Sequence, residues 1–202
     1  MPFKFEKTEI SDVLLIEPKA FSDERGYFFE NYKKSEFEMN SVKYTFCQDN
    51  SSYSEANVVR GLHFQSPPHE QGKLVRLIVG RILDVAVDIR VGSRTFGKWV
   101  SAELSAENKK MLWVPPGFAH GFVTYEKAFV HYKVTNEYNK DSEGGIIRND
   151  PNLNINWNTR NPASSAKDKN WPLFKDLKSP FKFGSFQIIP PSESLLYSLV
   201  TL

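Results

Sequence analysis

The chain has 202 residues, 40% of them hydrophobic and 25% charged, a balance that predicts one soluble domain with a real core. A net charge of +2 argues against nucleic acid as a partner, and no window approaches the ~20 apolar residues needed to span a membrane. The single cysteine, Cys47, excludes an internal disulfide and fits a reducing cytoplasm; lying between Phe46 and Gln48, it is expected to be a buried, inert thiol.

The N-terminal MPFKFEKTEI has no long apolar run, so no signal peptide is expected. Val13 to Ile16 reads as a short strand closed by Pro18. Phe21 to Glu30 mixes charge with aromatics. Lys33 to Met39 predicts a short helix, with Phe37 and Met39 among Glu and Lys. Arg60 to Gln65 reads as a strand, and Lys73 to Arg90 as two strands joined at Gly80-Arg81. In the second, Leu83, Val85, Val87 and Ile89 share one face, and Asp84, Asp88 and Arg90 the other, a period of two that predicts a core face and a polar face. Further strands are expected over Lys98 to Leu104, Met111 to Val114, Ala119 to Thr124 and Phe129 to Thr135, separated by turn residues such as Gly92-Ser93 and Pro115-Pro116-Gly117. Many short strands with almost no long helix argue for an all-β sandwich or barrel, and 14% aromatic content agrees. From Asn156 the pattern changes to a polar loop, then Trp171 to Phe174, and residues 177–202 form an extension of unassigned role, in which Leu195, Leu196, Leu199 and Val200 have helical spacing.

Two histidines stand out. His63 lies in Arg60-Gly61-Leu62-His63-Phe64-Gln65 and His120 in Pro115-Pro116-Gly117-Phe118-Ala119-His120. Imidazole exchanges a proton near neutral pH, and a guanidinium nearby suits an anionic substrate. Gly61 and Gly121 both cost strand stability, which predicts a close approach by a ligand or by backbone. His69 and His131 read as hydrogen-bonded structural residues. Arg25 and Arg60 suit a pyrophosphate, because guanidinium binds phosphate bidentately; taken singly, Arg25 and Lys73 read as solvated surface charges. No glycine-rich phosphate loop is present, so a nucleotide would be held by side chains.

The punctuation Gly80, Pro115, Gly117 and His120 resembles that of cupins, small antiparallel jelly-roll barrels. Many cupins bind metal through a His-x-His pair, a Glu and a further His. Here Phe64-Gln65 follows His63, so the first half of that pattern is missing and no metal is expected.

Longer motifs point further. Phe21 to Glu30, Gln48-Asp49-Asn50-Ser51-Ser52, Arg60 to Gln65, Gly72 to Arg76, Asp84 to Arg90 and Pro115 to Phe122 follow in order. Tyr132-Lys133, Tyr138, Asn149-Asp150-Pro151 and Ser165-Ala166-Lys167-Asp168 come after them. Together, from about residue 8 to about 176, they resemble the dTDP-4-dehydrorhamnose 3,5-epimerase family. The resemblance implies a cupin-type jelly-roll barrel with short peripheral helices, an epimerase domain over 1–176, and a cytoplasmic homodimer with exchanged N-terminal segments. It implies His63 as base, Asp168 as its paired carboxylate, Tyr132 as the acid on the other sugar face, and Lys73 and His120 near the sugar and its C4 oxygen. Arg25, Glu30, Gln48, Asp49, Asn50 and Arg60 match nucleotide-diphosphate contacts, Glu143 and Lys167 further substrate contacts, and Tyr138 an aromatic that stacks on the base.

The residue types suit that chemistry. Protons on C3 and C5 of a 4-keto sugar are α to a carbonyl; a base forms the enolate, a cation holds its charge, and a phenol returns the proton. No cofactor is required. Arg148, Ser51 and Asn158 depart from the residues usual in the family, leaving dTDP or GDP, hexose or heptose, and inversion at C3 alone or at both carbons as alternatives. A metal-dependent cupin enzyme and a non-catalytic sugar-nucleotide binder are the competing classes.

Overall fold

The computed structural model describes residues 2–185. The strands are β1 (Phe3–Lys7), β2 (Leu14–Pro18), β3 (Phe21–Asp23), β4 (Gly26–Phe28), β5 (Gln48–Ser54), β6 (Val59–Gln65) and β7 (Lys73–Val79). They continue with β8 (Arg81–Asp88), β9 (Trp99–Ser105), β10 (Met111–Val114), β11 (Phe118–Thr124), β12 (Ala128–Val134) and β13 (Glu143–Gly145). Among the described residues one α-helix, α1 (Lys34–Met39), follows β4, and short 3-10 helices span Lys140–Ser142 and Phe174–Asp176. Two sheets form, ordered β1-β2-β10-β7-β12-β5 and β13-β6-β11-β8-β9, and β3 and β4 make a separate hairpin. All paired strands run antiparallel. This is the cupin-type jelly-roll barrel, with only short helices at its periphery.

Alternation along the strands fills the space between the sheets. Val75, Leu77, Leu112 and Val130 from the larger sheet meet Ile82, Ala86, Val100, Leu104 and Phe118 from the smaller. Burying each large aliphatic side chain contributes about 1.5–3 kcal/mol. The outer face of the smaller sheet is also covered. Leu62, Phe64, Val85, Val87 and Ile89 pack there under Ile146, Leu153, Trp157 and Phe181.

That second layer corrects the reading of β8. Leu83, Val85, Val87 and Ile89 do share a face, but it is the outer one. Asp84 and Asp88 point inward and are fully buried, because β8 is a central strand covered on both faces. Each has partners: Asp84 bonds His120, and Asp88 accepts from Arg90, Ser93 and Thr95. A buried carboxylate is tolerated on such terms.

In α1, Phe37 is buried against Phe3, Phe5 and Tyr32, whereas Met39 is 69% exposed. Residues two apart on a helix do not share a face. Cys47 is exposed rather than buried, because it precedes β5, an edge strand. The packed body also continues past residue 176: Phe181 sits in the outer core, its carbonyl accepts from the Val91 N–H, and the Phe183 N–H donates to the Val91 carbonyl. The helical spacing over 195–200 lies outside the described residues. Among the described residues no helix is long and apolar enough to cross a membrane.

Candidate active site

A cavity of about 430 Å³ opens between the two sheets. The smaller sheet contributes His63, His120 and Arg60 to its wall; β7 and β12 of the larger contribute Lys73 and Tyr132. It adjoins a lobe of about 320 Å³ bordered by Gln48, Asn50 and Tyr138, and His63, Lys73, Tyr132 and Glu143 border both.

The wall of β6 depends on a bulge. His120 pairs with His63 and Phe122 with Arg60, so a step of two residues along β11 matches a step of three along β6. The extra residue reverses the alternation and brings Arg60 and His63 to the same side. Gly61, at φ +123°, lies at this point, and a Cβ there would stand 2.6 Å from the Gly121 Cα. The glycines therefore serve the approach of backbone to backbone.

His63 Nε2 lies 2.6 Å from Asp168 Oδ1, and Asp168 is almost fully buried. With Nε2–H donating to the carboxylate, the lone pair on Nδ1 is left for proton abstraction. Burial pushes the Asp168 carboxyl up, but the His63 hydrogen bond and charge, with the Gly61 amide, hold it below the usual carboxylate range. Asp168 sits in a turn, where its own N–H donates to Ser165 Oγ at 3.0 Å.

A second imidazole–carboxylate pair lies deeper. His120 Nε2 is 2.7 Å from Asp84 Oδ1, and both residues are buried. Nearby is Lys73, whose ammonium is pulled down to about 8 by burial, against the opposing pull of Asp84 and Glu143. It is a half-buried cation lining the cavity rather than a solvated one. Tyr132 faces the same space, and burial raises its phenol above the ordinary value, so it carries its proton at neutral pH.

At the rim, Tyr138 donates its hydroxyl to Glu143 at 2.9 Å, and Lys167 pairs with the same carboxylate oxygen. Gln48 Nε2 donates to Asn50 Oδ1 at 2.7 Å on the inner side of β5. Arg60 donates to Ser54 Oγ and to the Tyr53 carbonyl.

Three residues expected in the site are absent from this cavity. Asp49 alternates with Gln48 and Asn50, so it points to the opposite side of β5 and pairs with Lys133 at 2.9 Å. Arg25 is highly exposed on the β3–β4 hairpin and paired with Asp23, and Glu30 follows that hairpin. His131 accompanies Asp49 on the outer side, bonded to Ser51 at 3.3 Å.

The sequence reading assigned no role to Asp84, Ser52 or Ser164, which border or support the cavity. Asp84 was legible only as an acid on a strand's polar side; its partner is 36 residues distant. Among the described residues no three His, Cys, Asp or Glu side chains converge as a metal site requires.

The model of the family described as dTDP-4-dehydrorhamnose 3,5-epimerase matches residues 7–176. A protein of that name from Salmonella typhimurium is 56% identical over 170 residues, covering 83% of this chain and 93% of the relative. The crystal structure of a dTDP-4-dehydrorhamnose 3,5-epimerase from Elizabethkingia anophelis has a TM-score of 0.84 at 49% identity, covering 89% of this chain and all of that one. A dTDP-6-deoxy-D-glucose-3,5-epimerase from Legionella pneumophila, solved with dTDP-4-keto-L-rhamnose, has the same TM-score at 43% identity, covering 87% and 94%.

Proposed function

Because the chain belongs to the dTDP-4-dehydrorhamnose 3,5-epimerase family, we propose that it inverts C3 and C5 of a dTDP-linked 4-keto-6-deoxy sugar in deoxysugar synthesis for surface polysaccharide. The observation that carries this reading is one cavity in which an imidazole on one sheet, paired with a carboxylate from a turn, faces a protonated phenol on the other sheet.

In this reading His63 removes the proton α to the C4 carbonyl. Asp168 fixes the imidazole tautomer and stabilises the imidazolium that forms. Lys73 and His120 hold the charge that develops on O4, preorganised in a site of restricted solvent access. Tyr132 returns a proton from the opposite side, which inverts the carbon. The reaction needs side chains alone, without metal or redox cofactor. Arg60, Gln48 and Asn50 take the diphosphate and nucleoside, Tyr138 stacks on the base, and Glu143 and Lys167 border the sugar.

The working form in this reading is a homodimer with exchanged N-terminal segments. The hairpin bearing Arg25 leads into Glu30 and exposes Phe21, Tyr27 and Phe28, so each subunit offers Arg25 and Glu30 to the other's diphosphate. The lone thiol suits the cytoplasm, the location we assign.

The direct test is incubation with dTDP-4-keto-6-deoxyglucose in deuterated water, with label located by NMR. Deuterium at C3 and C5 with inverted configuration is expected. No exchange at either carbon would sink the reading, and label at C3 alone would restrict it to one centre.

A further inference from the structure

The turn that carries Asp168 rests on the sheet through Trp171, which the mechanism above does not use. Gly145 on β13 stands opposite His63 on β6. A Cβ on Gly145 would lie 2.5 and 2.6 Å from Trp171 Cε2 and Cδ2, so the indole occupies the space a side chain would fill. The indole meets the His63 ring edge to face, with centroids 6.3 Å apart. Lys167 lies over it at 5.5 Å, and the chain is pinned just beyond it by a bond from the Ile147 N–H to the Pro172 carbonyl, at 3.0 Å. The indole nitrogen is shielded from solvent and meets no acceptor in hydrogen-bond geometry. A buried donor left unmet costs free energy that a neighbouring acceptor would recover. It lies beside Asp168: burial raises that carboxyl, and Trp171 is among the groups that together bring it down, after His63 and the Gly61 amide.

We propose that Trp171 is a positioning residue for the His63–Asp168 pair: seated on Gly145, it sets the Asp168 turn against His63, and its N–H serves the carboxylate while His63 is charged. This rests on the epimerase reading of the site. The negative charge on Asp168 matters most when His63 has taken the substrate proton. A donor aimed at that carboxylate tempers its basicity and so adjusts the imidazole.

Trp171→Phe keeps an aromatic wedge and removes the N–H. We expect kcat to fall roughly ten-fold, the scale of one hydrogen bond to a charged group, with KM little changed. The acid limb of the pH profile moves to higher pH, because a more basic Asp168 raises the affinity of His63 for its proton. A merely structural role would lower the amplitude and leave the limb in place. A second measurement needs no substrate. Protonated imidazole quenches indole emission, so the fluorescence difference between wild type and Trp171→Phe titrates with His63 and flattens in the His63→Asn background. Unchanged kcat with an unmoved limb overturns the proposal, and so does a difference that ignores His63. Failure of every 4-keto sugar to exchange overturns the epimerase reading instead, and the titration still decides whether Trp171 is coupled to His63.

Discussion

Arg60 and His63 reach the same cavity although they are three residues apart on one strand. Regular alternation would send them to opposite faces. The bulge opposite His120 and Phe122 restores them to one side, and Gly61 makes room for it. In the proposed mechanism, the phosphate-binding cation and the proton-abstracting base thereby become neighbours along a single substrate.

Gly61→Ala is expected to destabilise the fold by about 3 kcal/mol, near the upper range for a residue forced into such backbone conformation. Its Cβ would meet backbone of Gly121 and His120, which cannot swing aside as a side chain can. Gly26→Ala shares the backbone region, at φ +132°, with nothing within 4 Å, and should cost only about 1 kcal/mol. Urea unfolding measures both, and equal losses would remove the steric argument.

His63→Asn should abolish deuterium incorporation at C3 and at C5, since one base serves both carbons in the proposed mechanism. Asp168→Asn should slow both in proportion, because it removes the partner at 2.6 Å that orients the imidazole. Persistent exchange at either carbon in His63→Asn would assign the base to another residue.

Tyr132→Phe should retain washout of substrate protons while epimer formation falls by roughly 10²-fold or more, the scale of a lost acid catalyst. Parallel loss of both would place Tyr132 in deprotonation instead.

Turnover should decline as pH rises through about 8, where Lys73 gives up its proton. The sign follows from the cation's role: below that pH the ammonium opposes the enolate charge, and above it the neutral amine cannot. Asp84 and Glu143 face Lys73 and oppose the loss, while Tyr132 titrates higher than an ordinary phenol. Lys73→Arg keeps its charge across the range, so its profile should lack this alkaline limb whatever its rate.

Arg25→Ala and Arg60→Ala should each weaken nucleotide binding by roughly ten- to a hundred-fold, through loss of hydrogen bonds to charged phosphate. Its exposed position gives the experiment a second arm. If the proposed exchanged dimer forms, mixing Arg25→Ala chains with His63→Asn chains should restore activity, because one site per mixed dimer then has an intact His63 and an intact Arg25. Absence of recovery after subunit exchange would remove Arg25 from the partner's site.

The amino-acid pattern alone shows the all-β class and most strand positions, because a period of two and turn residues are local signals. It also singled out His63, Lys73, His120, Tyr132 and Asp168 through motifs, and the fold places them around one cavity. Tertiary structure decided what local pattern cannot carry. Which face of β8 is interior depended on the segment that packs behind it, so a strand with two buried faces read as half solvated. The direction of Asp49 depended on the side of β5 that borders the cavity. Asp84 and Trp171 acquired partners only when distant strands met: Asp84 found His120, and the indole found the space left by Gly145 beside His63. Hydrogen bonds and packing between residues far apart in sequence form only once the chain has closed, and no local spacing encodes them.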